Sequence, residues 1–549
     1  MALGLGRDGG LRMPAAISPR RRAEPRWALA ALSCLLGFLS VMPLIPQGRF
    51  PSFDSSAYIF VADGMLAGRI PYVELWENKG LPLYVVDILG RIVTPGSYVG
   101  IWLLELVSMS VVFGLVIWTL RRFVSVAAVA FAAGLLVLGI VMTSVGGNTP
   151  EFWNMALQSI GLLAAWILVR GEAPSQSRYM AFVGFAAGIA GMTKLNLLGT
   201  WIALLLLIGG LTVAKRQTVA DSLRILGVMA AGFFVGIGLS VAPVVAWGAT
   251  GAWWDQTIGF GLSFSSGDAA NTRLSALLTG LNRIAFISWP LLLGLVAAPG
   301  AWLVGKRPKM EVERGWMYAF LLLWLSIELA ASSASGMPYT HYSMPWLVPS
   351  AMLLGMLWDS RSWRHAVLIL SAAVSLLGTV HVLPILDAKL NIHRGFPPVI
   401  VAESRYFKRA QTRMVEEVEW RTKPNDTVFM WGLDPVVFNE TGRLSAGPYS
   451  HPLTTLLLPA YHSERRFDDL IRQLEADPPE LIIDSTHIRD DMPSIWDLRT
   501  KVPFRVAQGQ GQVMPYMHVL PDFVEAEYTL VATSWPQVEY YQLNEKRRP

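Results

Sequence analysis

Cysteine and charge are both scarce in this chain of 549 residues. Its one cysteine, Cys34, excludes a disulfide framework, so any exported part folds by packing alone. Charged residues make up 15% of the sequence, where soluble domains carry about 25%. Hydrophobic residues reach 53%, and mean hydropathy is +0.42. Too little charge is present to clothe a water-soluble globule of this size, so lipid is the expected solvent. The pI near 9.2 does not point to nucleic acid. Basic residues are scattered between apolar segments rather than gathered on a stripe with interleaved aromatics, a distribution that suits anchoring to anionic headgroups. Nor is there metal-ligand spacing in the last third, where Asp434, Glu440, His451, His462, Asp484 and His487 are expected to decorate a folded surface. No internal repeat of fixed period is visible.

What is abundant is apolar runs. A helix needs about twenty predominantly apolar residues to cross the hydrocarbon core. Such runs fall at approximately 27–46, 98–120, 123–144, 152–169, 179–193, 195–214, 225–249, 285–305, 315–333, 343–358 and 365–387. About eleven membrane helices are therefore expected. The first is read as a retained span rather than a signal peptide, because no small-x-small cleavage pattern follows it before Phe50. The pair 179–193 and 195–214, split by Lys194, is read as a short helix up and another down. With the N-terminal basic tail of residues 1–26 inside, the inner segments hold nineteen Lys and Arg against seven in the outer ones that precede the last domain, the asymmetry of the positive-inside rule.

Two outer loops are long, 47–97 and 250–284. In the first, Ser55–Leu66 reads as a short helix with Asp54 or Ser55 as N-cap, and Gly80–Val93 as an interfacial helix too short to span. Trp253, Trp254, Phe260 and Phe264 in the second suit the headgroup region. After residue 388 charge returns. Ser404–Arg421 reads as an amphipathic helix, and Thr427–Trp431 and Leu481–Asp484 as buried strands, so residues 388–549 are expected to form a soluble α/β domain outside the membrane.

Ionisable groups near a membrane are costly, so their positions carry information. The densest outer cluster is Asp54, Asp63, Arg69, Glu74, Glu77 and Lys79. Glu151 in GGNTPEFW, Lys194 in GMTKLN, Glu328, and His341 in MPYTHYSMPW also fall at outer helix ends. Taken singly, each has a plain reading: a solvated loop, a snorkelling anchor, a structural histidine. Their gathering on one face is what points to chemistry.

The stretch from Asp54 to Tyr84 carries an Asp soon after the first span, then a short helix and Gly68, Pro71 and Tyr72. The acidic Glu74 follows, then Trp76, Glu77, Lys79 and Pro82. It resembles the first outer loop of GT-C fold, polyprenyl-phosphate-dependent glycosyltransferases, a group including protein O-mannosyltransferases, aminoarabinose transferases and rhizobial galacturonosyltransferases. GGNTPE and the segment around His341 resemble further pieces of that core. One departure concerns the acidic residue that directly precedes the lysine in the aminoarabinose transferases. Asn78 stands there, which leaves Glu74 and Glu77 as alternatives for the second carboxylate.

The resemblance implies an α-helical polytopic protein of GT-C type, with residues 27–387 as the transferase unit in the cell membrane. The implied reaction moves a sugar from a polyprenyl phosphate to an acceptor hydroxyl on a glycan, lipid or protein, with inversion, in cell-envelope synthesis. Asp54 is then the candidate general base. Lys79 and Lys194 are the candidate phosphate cations, and Tyr72, Glu74, Glu77, Glu151 and His341 the remaining substrate-binding candidates. A divalent ion, Mg or Mn, is not obligatory for a monophosphate donor; Glu74, Glu77 and Glu151 are its candidate holders. Two rival readings stand. A transporter or flippase would claim Glu328 as a midplane charge, and a non-catalytic envelope scaffold would leave the binding to the C-terminal domain.

Overall fold

The computed structural model describes residues 26–46, 51–172 apart from 145, 177–265, and 270–291 apart from 286, 289 and 290. It further describes 312–359 apart from 338, 398–452, 461–488, 493–506 apart from 501 and 502, and 509–545. The expected spans at 365–387 and, almost entirely, 285–305 lie outside these residues, as do the basic tail and the start of the C-terminal unit.

The first nine helices are α1 (Arg26–Val41), α2 (Phe53–Leu66), α3 (Leu81–Val93), α4 (Val99–Leu120), α5 (Val126–Thr143), α6 (Pro150–Val169), α7 (Ser177–Thr193), α8 (Gly199–Val213) and α9 (Val219–Ala246). Two more apolar helices follow at Val312–Ser333 and Met344–Trp358. The protein is a multi-pass membrane protein. Among the described residues six helices are long and apolar enough to cross a bilayer: Trp27–Leu44, α4, α5, α6, α9 and Val312–Ser333. The other three expected spans, α7, α8 and Met344–Trp358, form apolar helices of 17, 15 and 15 residues. At 1.5 Å per residue these are shorter than a hydrocarbon core of about 30 Å.

Local chemistry sets the helix starts. Thr149, Thr218 and Ser125 each place a side-chain oxygen on a first-turn N–H. Ser52 does the same for α2, accepting from the Ser55 amide, so Asp54 and Ser55, the two expected caps, lie inside the first turn instead. Lys194 divides α7 from α8 as expected, and the Trp201 indole, donating to the Val183 carbonyl, holds α8 back against α7. Close approach of α7 and α9 is made by glycines. A Cβ on Gly184 would come within 1.9 Å of the Met229 carbonyl oxygen, and one on Gly232 within 2.0 Å of that of Ala181.

Helix α3, expected at the interface, is inverted in polarity. Val85, Leu89, Ile92 and Val93 are exposed, while Tyr84 and Asp87 are buried, as expected of a helix with lipid on its outer side. In the second long loop, Trp254 is exposed, but Trp253 and Phe260 are buried. Phe260 packs against Trp76 and Tyr461 instead of meeting headgroups.

The C-terminal region opens on a helix, Pro398–Arg421, and forms a mixed five-stranded sheet in the order β2-β1-β3-β7-β6. Its strands are β1 (Thr427–Trp431), β2 (Leu444–Ser445), β3 (Leu481–Asp484), β6 (Tyr528–Ser534) and β7 (Val538–Leu543), and a separate hairpin pairs β4 (Pro503–Val506) with β5 (Gly509–Gln512). Strands β1, β2 and β3 run parallel, and β7 is antiparallel to β3. Asp434, His451 and Asp484 do not decorate the surface: all three are buried. Asp434 accepts from the Ser485 hydroxyl and Asp484 from the Ile495 amide, which satisfies carboxylates removed from water.

The sheet region sits on the first long loop. Asn439 donates to the Ser56 carbonyl, Trp76 N–H to the Pro448 carbonyl at 2.7 Å, and Phe60 packs on Phe438.

Candidate active site

Four separated pieces of chain converge where the first loop, the α5–α6 hairpin, the α7–α8 turn and the segment before Met344 meet. Asp54 lies in the first turn of α2, and Glu151 in the first turn of α6. His341 stands between them, with Nδ1 3.9 Å from Asp54 Oδ2 and Nε2 3.9 Å from Glu151 Oε2. Lys194 donates to Glu151 Oε1 at 2.5 Å, and its ammonium lies 4.0 Å from the centre of the Tyr342 ring, a favourable place for a cation. Side-chain exposure separates the two carboxylates. That of Glu151 is 2% and that of Asp54 35%. Buried Glu151 is thus committed to its half-buried lysine, and Asp54 is the carboxylate open to an incoming group.

The loop 68–80 delivers Lys79 to the same place. Gly68 and Tyr72 adopt left-handed backbone conformations, and Tyr72 N–H returns to the Leu75 carbonyl. The hydroxyls of Tyr72 and Tyr84 both donate to the Lys79 carbonyl, at 3.0 and 3.1 Å. Lys79 Nζ contacts the Asn78 side chain and lies 5.9 Å from the centre of the Tyr58 ring. Immediately after it, Gly80 N–H donates to the Thr193 carbonyl. A Cβ at Gly80 would lie 1.5 Å from the Met192 carbonyl oxygen. Only glycine lets the two turns come this close, and this approach sets Lys79 beside Lys194.

Burial dominates the electrostatics. It lowers the Lys79 pKa, with Glu77 pulling back up and Lys194 lowering it further. It raises the Glu77 pKa against the opposing pull of Lys79. The His341 pKa falls below 6.5 through burial, although Glu151 and Asp54 oppose this. Tyr58, Tyr72 and Tyr84 are raised well above the usual phenol range, first by burial and then by the nearby carboxylates.

The expected residues therefore separate into two groups. Asp54, Glu151, Lys194 and His341 form one cluster, with Lys79, Glu77 and Tyr72 bordering it. Glu74 faces away, its carboxylate accepting the Ile70 amide at 2.7 Å. The expected metal set of Glu74, Glu77 and Glu151 is thus not assembled. Among the described residues no group of three or more His, Cys, Asp or Glu side chains can hold a metal ion. Glu328 is apart as well, receiving Gln158 Nε2 at 2.7 Å and the Trp324 indole at 3.2 Å beneath the first residues of α8. A carboxylate at a helix N-terminus is a structural arrangement.

Several participants escape a reading of the sequence. Gln256 ties the Glu77 amide to the Tyr72 carbonyl, and nothing local marks it. Glu105, a lone carboxylate in the apolar helix α4, accepts the Asn148 amide at 2.6 Å. Asn148 in turn donates to Ser55 Oγ at 3.0 Å and receives the Trp153 indole, so the GGN hairpin that presents Glu151 is tied to α2. An isolated acid in a span is itself a signal.

No family model matches the chain. Among curated proteins, the undecaprenyl phosphate-alpha-4-amino-4-deoxy-L-arabinose arabinosyl transferase 2 of Pseudomonas fluorescens is 25% identical over 346 residues, 60% of this chain and 56% of that protein. The chain thus spans a little over half the length of the curated relative it matches. Two crystal structures of ArnT from Cupriavidus metallidurans share its fold. In the one bound to undecaprenyl phosphate, identity is 14% and the TM-score 0.51, over 90% of this chain and 98% of that one. In the apo state identity is 14% and the TM-score 0.53, over 94% and 97%. The chain has the ArnT-like GT-C fold, so the likeness read from residues 54–84 extends, as fold, over most of its length.

Proposed function

We propose that the chain is a membrane glycosyltransferase that moves a sugar from a polyprenyl phosphate to an acceptor hydroxyl, with residues 27–387 as the catalytic unit. The observation that carries this reading is the convergence of Asp54, Glu151, His341 and Lys194, with Lys79 beside them. One partly exposed carboxylate and two lysines at one site match the needs of the reaction. The acceptor oxygen attacks the anomeric carbon on the face opposite the phosphate, and Asp54 takes its proton. The bond from that carbon to the phosphate oxygen breaks, and the phosphodiester leaves as a monoester with one more negative charge. Lys79 and Lys194 meet that charge, already positioned in a site poor in water. A single displacement of this kind inverts the anomeric centre.

Glu151 holds Lys194 in place, and His341 stands between Asp54 and Glu151, one ring nitrogen toward each. Glu77, buried beside Lys79, is the carboxylate that matches the second acidic role, because Glu74 is spent on the turn. The likeness to a structure that holds undecaprenyl phosphate supports a lipid-linked donor. The basic asymmetry of the loops supports an extracytoplasmic site in the cell membrane with the C-terminal region on the same side. The sheet region, through Phe438, Asn439 and Pro448, covers the first loop, a place suited to meeting the acceptor. Burial of Glu328 among indoles and a glutamine argues against the transporter reading.

The test is purified protein given polyprenyl-phosphate sugars with and without the Asp54→Asn change. Transfer by the wild type and a loss of at least a hundredfold in the variant are expected, on the order of general-base contributions. Full transfer by Asp54→Asn would remove the base assignment. No turnover by the wild type with any such donor would favour transport or scaffolding.

A further inference from the structure

We infer that Arg466, in the C-terminal region, is a positioning residue for Lys79 and acts by clamping Trp76. The inference rests on the reading of Lys79 as a phosphate-binding group. Lys79 is joined to Trp76 through two residues, and Trp76 is held by groups from the second loop and the C-terminal region. Its N–H donates to Pro448. Its ring meets Phe260 edge-on at 5.1 Å and Tyr449 at 6.0 Å. The Arg466 guanidinium lies 5.6 Å from the Trp76 ring centre, 5.3 Å from that of Phe260 and 6.0 Å from that of Tyr461.

Arg466 is an unusual cation. It is 8% exposed, and its Nε has no hydrogen-bond partner among the described residues. It forms no ion pair among those residues, whereas its helix neighbours Arg465 and Arg472 do. One nitrogen donates to the Tyr461 carbonyl, and Tyr461 is tied by its hydroxyl to Asp255 at 2.7 Å. The guanidinium is therefore held by one carbonyl and three aromatic rings, the rings contributed by the first loop, the second loop and the C-terminal region. Removing a buried charge from water for this contact is costly unless the geometry is retained.

A second tie runs parallel. Arg69 donates to the Glu74 carbonyl at 2.6 Å and to the Gly447 carbonyl at 3.3 Å. Beyond Lys79, the next anchor is the Gly80–Thr193 bond in the membrane unit. Glu77, Asn78 and Lys79 thus run between the Gly80–Thr193 bond in the membrane unit and Trp76 beneath the C-terminal region, with Gln256 on the Glu77 amide and the Tyr72 and Tyr84 hydroxyls on the Lys79 carbonyl as ties along the way. Those backbone ties fix the Lys79 main chain, so loosening Trp76 shifts the segment that leads into it and changes how its ammonium meets the site, with every residue of the cluster intact.

The experiment is a double-mutant cycle on the full chain, reading the affinity for sugar-free polyprenyl phosphate in detergent. Arg466→Met is expected to weaken binding on the order of tenfold, the scale of a desolvated cation–π contact. The double variant Arg466→Met/Lys79→Gln should bind no worse than Lys79→Gln alone, because the arginine acts through the lysine. A role confined to stabilising the C-terminal region would give independent losses that multiply. Wild-type affinity in Arg466→Met, or multiplied losses, overturns the inference. Should Arg466→Met not fold, Trp76→Phe carries the same cycle with the same two outcomes. Failure of the wild type to bind any polyprenyl phosphate would overturn the reading of Lys79 and this inference with it.

Discussion

Substituting alanine for Gly80 probes the approach between the first loop and the α7–α8 turn most directly. The added Cβ would sit 1.5 Å from the Met192 carbonyl oxygen, whereas an ordinary C···O contact is roughly 3.3 Å. The two backbones must then separate by about 1.8 Å. The obstacle is a main-chain carbonyl, so no side chain can swing aside to relieve it. Separation of that size breaks the Gly80–Thr193 hydrogen bond and carries Lys79 away from Lys194. Overpacking of this kind costs about 1–3 kcal/mol in stability. A misplacement of about 1 Å at a reacting centre costs on the order of a hundredfold in rate. Gly80→Ala is therefore expected to insert and fold with a lowered Tm and to lose about two orders of magnitude in kcat/KM for a polyprenyl-phosphate sugar. Gly209→Ala is the control, since no atom lies within 4 Å of a Cβ there. If Gly80→Ala matched Gly209→Ala in both Tm and turnover, the reasoning from close approach would be refuted.

Other perturbations separate the site from its surroundings. Glu151→Gln leaves half-buried Lys194 without its counter-charge, at an expected cost of about 2 kcal/mol in stability, the scale of a hydrogen bond to a charged group; thermal unfolding of Glu151→Gln, Lys194→Met and the double variant should show the double less destabilised than the sum. Glu328→Gln keeps the shape and most hydrogen bonds, so transfer should stay within about threefold of wild type, and abolished function with an intact Tm would revive the transporter reading. His451 supplies a pH test: burial, aided by Lys79, drops its pKa to about 3, below an unfolded value of about 6.5. The unfolded chain binds that proton first, so this contribution is full above pH 6.5 and is lost progressively as pH falls from 6.5 toward 3. His451→Gln should flatten that part of a Tm-against-pH profile, and an unchanged acid slope would contradict the assignment.

Much of the frame was legible because it is local. Apolar runs announce helices, and the six long spans follow them within a few residues. The break at Lys194 falls between two helices, and strands β1 and β3 lie over the residues expected of them. The helix α2 was legible too, but its cap was not. Asp54, Ser55 and Ser52 are all competent caps, and backbone geometry rather than residue type selected Ser52. Phe260, read as a headgroup ring, is buried under the C-terminal region; aromatic residues suit a membrane interface and a packed interface equally, and only the neighbours distinguish the two.

By itself the sequence determined that this chain lives in lipid, where its helices run and which ionisable residues are too costly to be incidental. These properties belong to segments, and the free energy of moving a segment into the bilayer depends on that segment alone. The tertiary structure decided which of those residues meet. His341 reaches both Asp54 and Glu151, and Glu74 is drawn into a turn while Glu77 borders Lys79. Arg466 crosses from the C-terminal region to Trp76. Each of these depends on backbones packing across long stretches of chain, at contacts as close as Gly80 against Met192, and no property of a single segment encodes such a distance.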